Sequence, residues 1–298
     1  MRLSREAPIP VINQEQRYTV PGGAMNTAVN ARALGAEVYV AGIVGDDTLG
    51  QNLRNQMSQR QIHHQLLLTA PGRATSSKLR VMANNKQGVI QHVARIDNID
   101  SSLPDESVVR QIIALLEELI PVMDGVILSD YDNGFMGLSL IDAALSLARS
   151  SRCVIIADAH GGLERFQKVT AITPNDPEAE AATAIRIHDK ASLELAGNRL
   201  LDMTDAHCVL ITRGSDGMSL FSKNESPFHI PVWPVEARDT NGAGDTAAAA
   251  FTLAMAAGAT PRESAQIANV AASIVVQHLG CATTSVEELL QRANAYGL

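Results

Sequence analysis

Arg238-Asp239-Thr240-Asn241-Gly242-Ala243-Gly244-Asp245-Thr246-Ala247 ends an extended segment and opens a long apolar helix. Glycines at a helix start let the backbone come close to a ligand, and the unpaired N–H groups there bind anions. Phosphoryl transfer needs this arrangement: donors aimed at the migrating group, and a carboxylate to take the acceptor hydroxyl's proton. Asp245 stands where the carboxylate is needed, and the helix terminus is expected to favour its ionised form. Alone, Asp245 reads sooner as a plain carboxylate at a helix N-terminus, a common feature of proteins.

Two other readings of the stretch fail on context. Gly242-Ala243-Gly244-Asp245-Thr246-Ala247 formally fits the dinucleotide pattern GxGxxA, which expects a buried strand before it and an acidic residue on a strand ~20 residues later. Here Glu236-Ala237-Arg238 precedes it, and Pro261-Arg262-Glu263 downstream is a helix start. No GxxxxGK[ST] occurs, so a P-loop is absent as well.

Outward from the stretch, the C-terminal side is helical and Ala-rich: Ala243 to Ala257, Pro261 to His278 and Val286 to Ala295. On the N-terminal side a regular alternation begins after Pro104. A helix, Glu106 to Leu119, precedes a strand at Gly125-Val126-Ile127-Leu128-Ser129, and a helix from Leu138 to Arg149 precedes Val154-Ile155-Ile156-Ala157-Asp158. Ala171-Ile172-Thr173-Pro174-Asn175, a helix from Ser192 to Leu201 and Val209-Leu210-Ile211-Thr212 continue the series. Apolar strands alternating with helices predict an α/β fold, a doubly wound parallel sheet. Its site lies beyond the carboxyl ends of the strands, where Asp130, Asp158, Asn175 and Thr212-Arg213-Gly214 fall.

Nearer the N-terminus, Gly22-Gly23 opens a helix to about Leu34, Val38 to Val44 reads as a buried strand, and a helix runs to about Arg60. Two segments break the rhythm and predict a small antiparallel β lid, at about 8–20 and 76–97. The first, Pro8 to Val20, reads as edge strands or a lid. In the second, Leu79-Arg80-Val81-Met82 and Val89-Ile90-Gln91-His92-Val93 flank Asn84-Asn85-Lys86-Gln87-Gly88, a hairpin by its turn chemistry. No repeat or flexible linker interrupts the 298 residues, so a single domain over 1–298 is expected. A short hairpin exposes its edges, and pairing with a twin predicts a homodimer.

Composition narrows the function class. The net charge is −8, with no Lys/Arg cluster to displace counterions, which argues against a nucleic-acid partner. No apolar stretch reaches the ~20 residues of a membrane span, and the first residues carry no signal-peptide run, which predicts a cytoplasmic protein with no membrane partner. Cys153, Cys208 and Cys281 are far apart in sequence and read as thiols in a reducing compartment.

Asp239-Thr240-Asn241-Gly242-Ala243-Gly244-Asp245 resembles the C-terminal motif of the ribokinase (PfkB) carbohydrate kinase family. Gly22-Gly23-Ala24-Met25-Asn26-Thr27-Ala28, through Leu34-Gly35 to Gly42-Ile43-Val44-Gly45-Asp46-Asp47 and Gly50, resembles its N-terminal motif. Within the family the similarity is to the heptose-7-phosphate kinase domain of lipopolysaccharide precursor synthesis. Arg95-Ile96-Asp97, Leu128-Ser129-Asp130-Tyr131, Thr173-Pro174-Asn175 and Thr212-Arg213-Gly214 are among the matching stretches.

The resemblance implies a ribokinase-like fold and an ATP-dependent sugar kinase. By its terms Asp245 is the base, and Gly242, Ala243 and Gly244 form the anion hole. Asn175 and Glu178 organise Mg²⁺, largely through water, and a monovalent cation is a further cofactor of the type. Thr212 and Gly214 contact the nucleotide, and Asn269 lies where the family lines its adenine pocket. Gly22, Gly23 and Asn26 contact the sugar, a small-molecule sugar or sugar phosphate, with Asp130 beside them. Lys78, Arg80 and Arg95 on the hairpin meet the substrate's existing phosphate. Taken from the residues alone, Glu178 is a solvated first-turn carboxylate, Asn269 a core amide, and the three cations an exposed strand face.

Three departures from the family pattern carry expectations. Asn133 stands where these kinases have Lys, and Asp158-Ala159-His160-Gly161 where they have Asp-Pro-Lys-Gly, which removes two cations that a phosphorylated heptose would meet. The family also begins with a buried strand ending in Gly-Asp, and this chain starts downstream of it. With Met1 as the start, the neighbouring strands either close up into a shorter sheet or leave an open slot beside the sugar pocket. A slot would make the chain a poor catalyst, or a non-catalytic nucleotide- or sugar-binding relative.

Overall fold

The computed structural model describes residues 2, 3, 5–7, 10, 11, 13–84 and 90–298. Elements alternate along the chain as the apolar runs predict. Strands β1 (Arg2–Leu3) and β2 (Pro10–Val11) pair with each other, and helix α1 (Ala24–Ala33) follows Gly23. Next come β3 (Tyr39–Val44), α2 (Thr48–Gln59) and β4 (His63–Thr69). The side chain of Asp47 caps α2 through the Gly50 N–H at 2.7 Å. The hairpin strands are β5 (Ser77–Asn84) and β6 (Ile90–Asn98).

The doubly wound part then runs α3 (Glu106–Leu119), β7 (Gly125–Asp130), α4 (Leu138–Ser150), β8 (Val154–Ala159), β9 (Ala171–Ile172), α5 (Asp176–Thr183), α6 (Lys190–Thr204) and β10 (Cys208–Thr212). Strands β11 (Met218–Ser222) and β12 (Phe228–Ile230) follow, and helices α7 (Ala243–Ala256), α8 (Pro261–Val275) and α9 (Val286–Tyr296) close the chain.

The main sheet has the order β12-β11-β10-β9-β8-β7. Pairs β7–β8, β8–β9 and β9–β10 are parallel, and β10–β11 and β11–β12 antiparallel. One apolar cluster lies on the α3, α4 and α6 side, with Ile112, Ile141, Leu200 and Phe221 fully buried. A second, around Phe251, Ile156 and Leu210, lies under α7 and α8. Residues i and i+2 of a strand share a face, so the two clusters use alternate residues of the same strands.

The first parallel pair stands apart. Among the described residues β3 pairs with β4 alone, and β7 with β8 alone. Between β3 and β7 lies an open slot, lined by Val40 and Ile43 of β3, Val126 and Ile127 of β7, Leu116 of α3 and Leu253 of α7. It is continuous with the region around Asp245 in a single cleft of about 2580 Å³. A buried unpaired backbone group costs about 1–3 kcal/mol, but a cleft this wide admits solvent to both strand edges.

The expected hairpin forms, whereas part of the first segment forms no strand. β5 and β6 pair antiparallel, with Arg80 opposite Arg95 and Leu79 opposite Ile96. The turn residues Asn85 to Gly88, and Val89, lie outside the described residues, as do Pro8 and Ile9. Residues 13–20 form no strand; they border the cleft as exposed irregular chain. Asn13-Gln14-Glu15-Gln16-Arg17 has no alternating apolar positions to hold it against a neighbour.

Candidate active site

The cleft floor is built from α1 and α7. Asp239 shapes the turn into α7: its Oδ1 accepts from the Asn241 N–H at 3.0 Å and its Oδ2 from the Gly280 N–H at 2.9 Å. Gly242 caps the helix with φ +81°, and a Cβ there would stand 2.5 Å from Asn26 Nδ2. Only glycine serves at that position. A Cβ on Gly244 would meet nothing within 4 Å and point into open space. The Ala243 N–H donates back to the Thr240 carbonyl at 3.3 Å, so the donors left for an anion belong to its neighbours.

Asp245, 8% exposed, lies one turn into α7. Its Oδ2 accepts from Asn26 Nδ2 at 2.7 Å, and its Oδ1 from the Tyr131 hydroxyl at 2.5 Å and the Thr27 hydroxyl at 3.4 Å. A second bond ties the same helices, from the Thr246 hydroxyl to Asn30 Oδ1 at 2.9 Å. The helix terminus does not decide the titration of Asp245, contrary to expectation. Burial raises its pKa, opposed by the hydrogen bonds from Tyr131 and Asn26 and by His160. Desolvation outweighs a helix-end charge effect of about 0.3–1 kcal/mol.

Facing Asp245 across the cleft are groups at the carboxyl ends of β7 and β8. Asp158 is half-buried and pushed up to about 7, first by desolvation and then by the charge of Asp245. Two residues on, His160 hydrogen-bonds Glu178 through a short contact, and that bond raises its pKa. Its ring also meets Tyr131 edge-on, with centroids 4.3 Å apart. Asn175 and Glu178 form a reciprocal capping box at α5: the Glu178 N–H donates to Asn175 Oδ1 and the Asn175 N–H to Glu178 Oε2, both at 2.9 Å.

The donor set suits a hydrated Mg²⁺. Asp158, Glu178 and Asp245 offer hard oxygens, and the like charges of Asp245 and Glu178 add to the desolvation that raises the pKa of Asp158, a repulsion that a divalent cation would relieve. No group of three or more His, Cys, Asp or Glu among the described residues could clasp a metal directly. Water-mediated contact is what these residues fit.

Most of the residues singled out from the sequence meet here. Gly22, Gly23, Asn175, Glu178, Thr212, Gly242, Gly244 and Asp245 border the one cleft, and Asn26 reaches it through Asp245. Lys78 and Arg80 border it from the hairpin, with Arg80 near enough to Cys281 to act on its thiol. Four do not join. Asp130 is turned to the other face of β7, where Arg165 holds its Oδ2 at 2.6 Å and the Asp132 N–H its Oδ1. Arg95 pairs with Asp97 at 2.8 Å on the exposed hairpin. Asn269 gives its amide to the Pro231 carbonyl at 2.8 Å, the core role open to it from sequence alone. Gly214, with φ +52°, forms the short turn after β10, beyond the cleft's border at Thr212. Tyr131, His160 and Thr27 were missed as site residues; the signal available was their place at the carboxyl end of a strand or the start of α1.

Comparison with known proteins agrees with this geometry. The pattern of the pfkB family carbohydrate kinases matches residues 2–289. The bifunctional protein HldE of Desulfatibacillum aliphaticivorans is 37% identical over 289 residues, 97% of this chain and 58% of that protein. HldE of Caulobacter vibrioides is 36% identical over 296 residues, 99% of this chain and 60% of that protein. The chain thus spans less than two thirds of the length of these relatives. Among solved structures, Arabidopsis thaliana ribokinase complexed with ribose and ATP superposes with a TM-score of 0.76 at 21% identity, over 95% of this chain and 90% of that one. Escherichia coli phosphofructokinase-2 in complex with potassium gives 0.76 at 20% identity, over 97% of this chain and 94% of that one. The fold is ribokinase-like, a mainly parallel sheet with a small antiparallel hairpin, and the chain belongs to the pfkB family of carbohydrate kinases.

Proposed function

We propose that this chain, as one catalytic domain over 1–298, transfers the γ-phosphoryl group of ATP to a sugar hydroxyl, and that the sugar is a heptose 7-phosphate accepting at its anomeric position. One observation carries the reading: Asp245, nearly buried at a glycine-flanked helix N-terminus, faces a cleft bordered by the Gly22-Gly23 turn and the Asn175–Glu178 pair.

In the reaction the acceptor oxygen bonds to the γ-phosphorus as the bond to the β-phosphate oxygen breaks, and the acceptor's proton passes to Asp245. Its raised pKa suits a base that must take a proton in the transition state. N–H groups at Gly242 and Gly244 hold the charge on the migrating group. Thr212 and Gly214 guide the nucleotide along the end of β10. Mg²⁺, organised by Asn175 and Glu178 through water, neutralises the phosphate oxygens when bound. A monovalent cation serves beside it. Lys78 and Arg80 receive the phosphate that the sugar already carries. The protein works in the cytoplasm as a homodimer; no described helix is long and apolar enough to cross a membrane.

The test is ADP release across a panel of sugars and sugar phosphates, with heptose 7-phosphate expected to give the highest kcat/KM. Preference for an unphosphorylated sugar would refute the substrate and keep the kinase. A second reading, a binding protein without catalysis, is favoured by the slot between β3 and β7. ATP binding with no ADP release on any sugar is its signature.

A further inference from the structure

Tyr131 holds a position that the reaction needs for something else. Its hydroxyl donates to Asp245 Oδ1 at 2.5 Å, while Oδ2 is taken by Asn26 at 2.7 Å. Asn26, on α1, is buried. Oδ1 is held by the Tyr131 hydroxyl and, more loosely at 3.4 Å, by the hydroxyl of Thr27. The ring fills the space in front: its edge lies 3.4 Å from where a Cβ on Gly23 would be, and it borders His160 on the other side.

Tyr131 is not itself a proton acceptor. Burial and the neighbouring Asp245 raise its pKa far above that of a free phenol, so it stays protonated and donates. It also sits on the irregular chain after β7, followed by Asp132 at φ +53°, rather than inside the strand ladder. Its displacement breaks no sheet hydrogen bond.

We propose that Tyr131 is a gate on the catalytic base: its hydroxyl occupies the acceptor's place on Asp245 and yields only to a sugar hydroxyl that binds over Gly22-Gly23. This rests on Asp245 being the base. The gate answers a chemical problem of any such kinase. With ATP bound and no sugar present, water on Oδ1 would lose its proton to Asp245 while its oxygen attacked the γ-phosphorus, giving ADP and inorganic phosphate. A tyrosine hydroxyl on Oδ1 excludes that water. Tyr131 is thus a positioning residue that couples exposure of the base to arrival of the acceptor.

The experiment compares wild type, Tyr131→Phe and Asp245→Asn in MgATP alone, by release of inorganic phosphate, and then with the accepted sugar. The phenylalanine keeps the ring and its packing on Gly23 and removes only the plug. Losing a hydrogen bond to a charged group frees Oδ1 for water, so sugar-free hydrolysis is expected to rise about ten-fold or more. The sugar's KM is expected to fall while kcat changes less, and Asp245→Asn removes both activities. Equal sugar-free rates in wild type and Tyr131→Phe, including none in either, would overturn the gate and leave the kinase reading intact. A drop in kcat with unchanged hydrolysis would also overturn it, marking a structural contact. Full activity in Asp245→Asn would instead remove the base and the gate together.

Discussion

The two flanks of the parallel array are built from the same kind of strand and end in opposite conditions. From β8 to β11 every strand has a neighbour on both sides, and Ile156, Leu210 and Phe251 are wholly enclosed. At β3 and β7 one edge of each faces the slot, and Val126 and Ile127, in a strand as apolar as β8, remain partly exposed. Burial in a parallel sheet therefore belongs to the pairing of strands and not to their composition. A fully apolar run states that a strand is meant to be covered on both faces, but it cannot state that its edge is.

Asp245, the proposed base, stands at the joint between the flanks, so its loss should have the largest effect. Asn26 on α1 comes from the β3 side and Asp245 on α7 from the paired side. Asp245→Asn preserves shape and removes the proton acceptor. Turnover should fall by about 10²–10⁴-fold or more, with ATP affinity nearly unchanged in a calorimetric titration. If the variant keeps most of its activity, the two flanks meet at a structural bond and not at a base.

The flanks themselves are compared by paired truncations. Leu210→Ala, in β10, empties an enclosed position and should destabilise by about 2–5 kcal/mol in urea unfolding. Ile127→Ala, in β7, removes a side chain that already borders the slot, and should cost less than about half of that. Equal losses would mean that β7 is as covered in solution as β10. Hydrogen exchange reads the same contrast: alternate amides of β7, those not bonded to β8, should exchange faster than any amide of β10.

How much of this was legible beforehand depended on distance along the chain. Helix α3 runs over Glu106–Leu119, the limits its amphipathic pattern predicts, and the Gly242–Asp245 start of α7 carries its own signal of turn and cap. Strand β4 opens on His63-His64-Gln65 and was not read as a strand at all; its pairing with β3, and not its polarity, makes it one. The choice between Asp130 and Tyr131 was invisible for another reason. Neighbouring strand residues point to opposite faces, so one of the two must turn from the cleft, and only the sheet's placement says which. Asp130 lies opposite Ala159 in register, and Ser129 opposite Asp158, which puts the cleft on the face of Asp158 and His160. Tyr131 then falls on the cleft side and Asp130 goes to Arg165.

The hairpin repeats the comparison on a smaller scale, with one strand face used and the other uncovered. Lys78, Arg80 and Arg95 share a face, where Arg80 and Arg95 are directly opposite as like charges and Asp97, paired with Arg95 at 2.8 Å, offsets their repulsion. On the other face Leu79 and Ile96 are opposite each other and 45% and 59% exposed. An apolar cross-strand pair in the open fits a two-fold contact with a second copy. Ile96→Lys should convert a dimer to a monomer in sedimentation at micromolar concentration without altering the fold. A wild-type monomer at that concentration would refute the dimer.

The smallest effect expected is one of pH on stability, and it comes from the paired flank. Asp158, next to last in β8, is half-buried at the cleft, and its carboxyl titrates at about 7, against 3.8 for an ordinary Asp. The folded state therefore binds a proton that the unfolded chain has released, throughout the interval from about pH 4 to about pH 7. Stability from this group is fully present below the unfolded value and is lost as pH rises through the folded one. Asp245, raised in the same direction by burial and facing Asp158 as a like charge, adds to the fall. Asp158→Asn keeps an oxygen to accept from the Thr173 hydroxyl, now at 3.0 Å, and removes the titration. Wild type should melt lower at pH 8 than at pH 5, by about 2 °C or more, and the variant should show a smaller difference. An identical pH dependence in the two proteins would mean that Asp158 is ionised and hydrated in solution. The open slot would then extend its solvent past β7 to the end of β8, and the contrast between the flanks would stop one strand later.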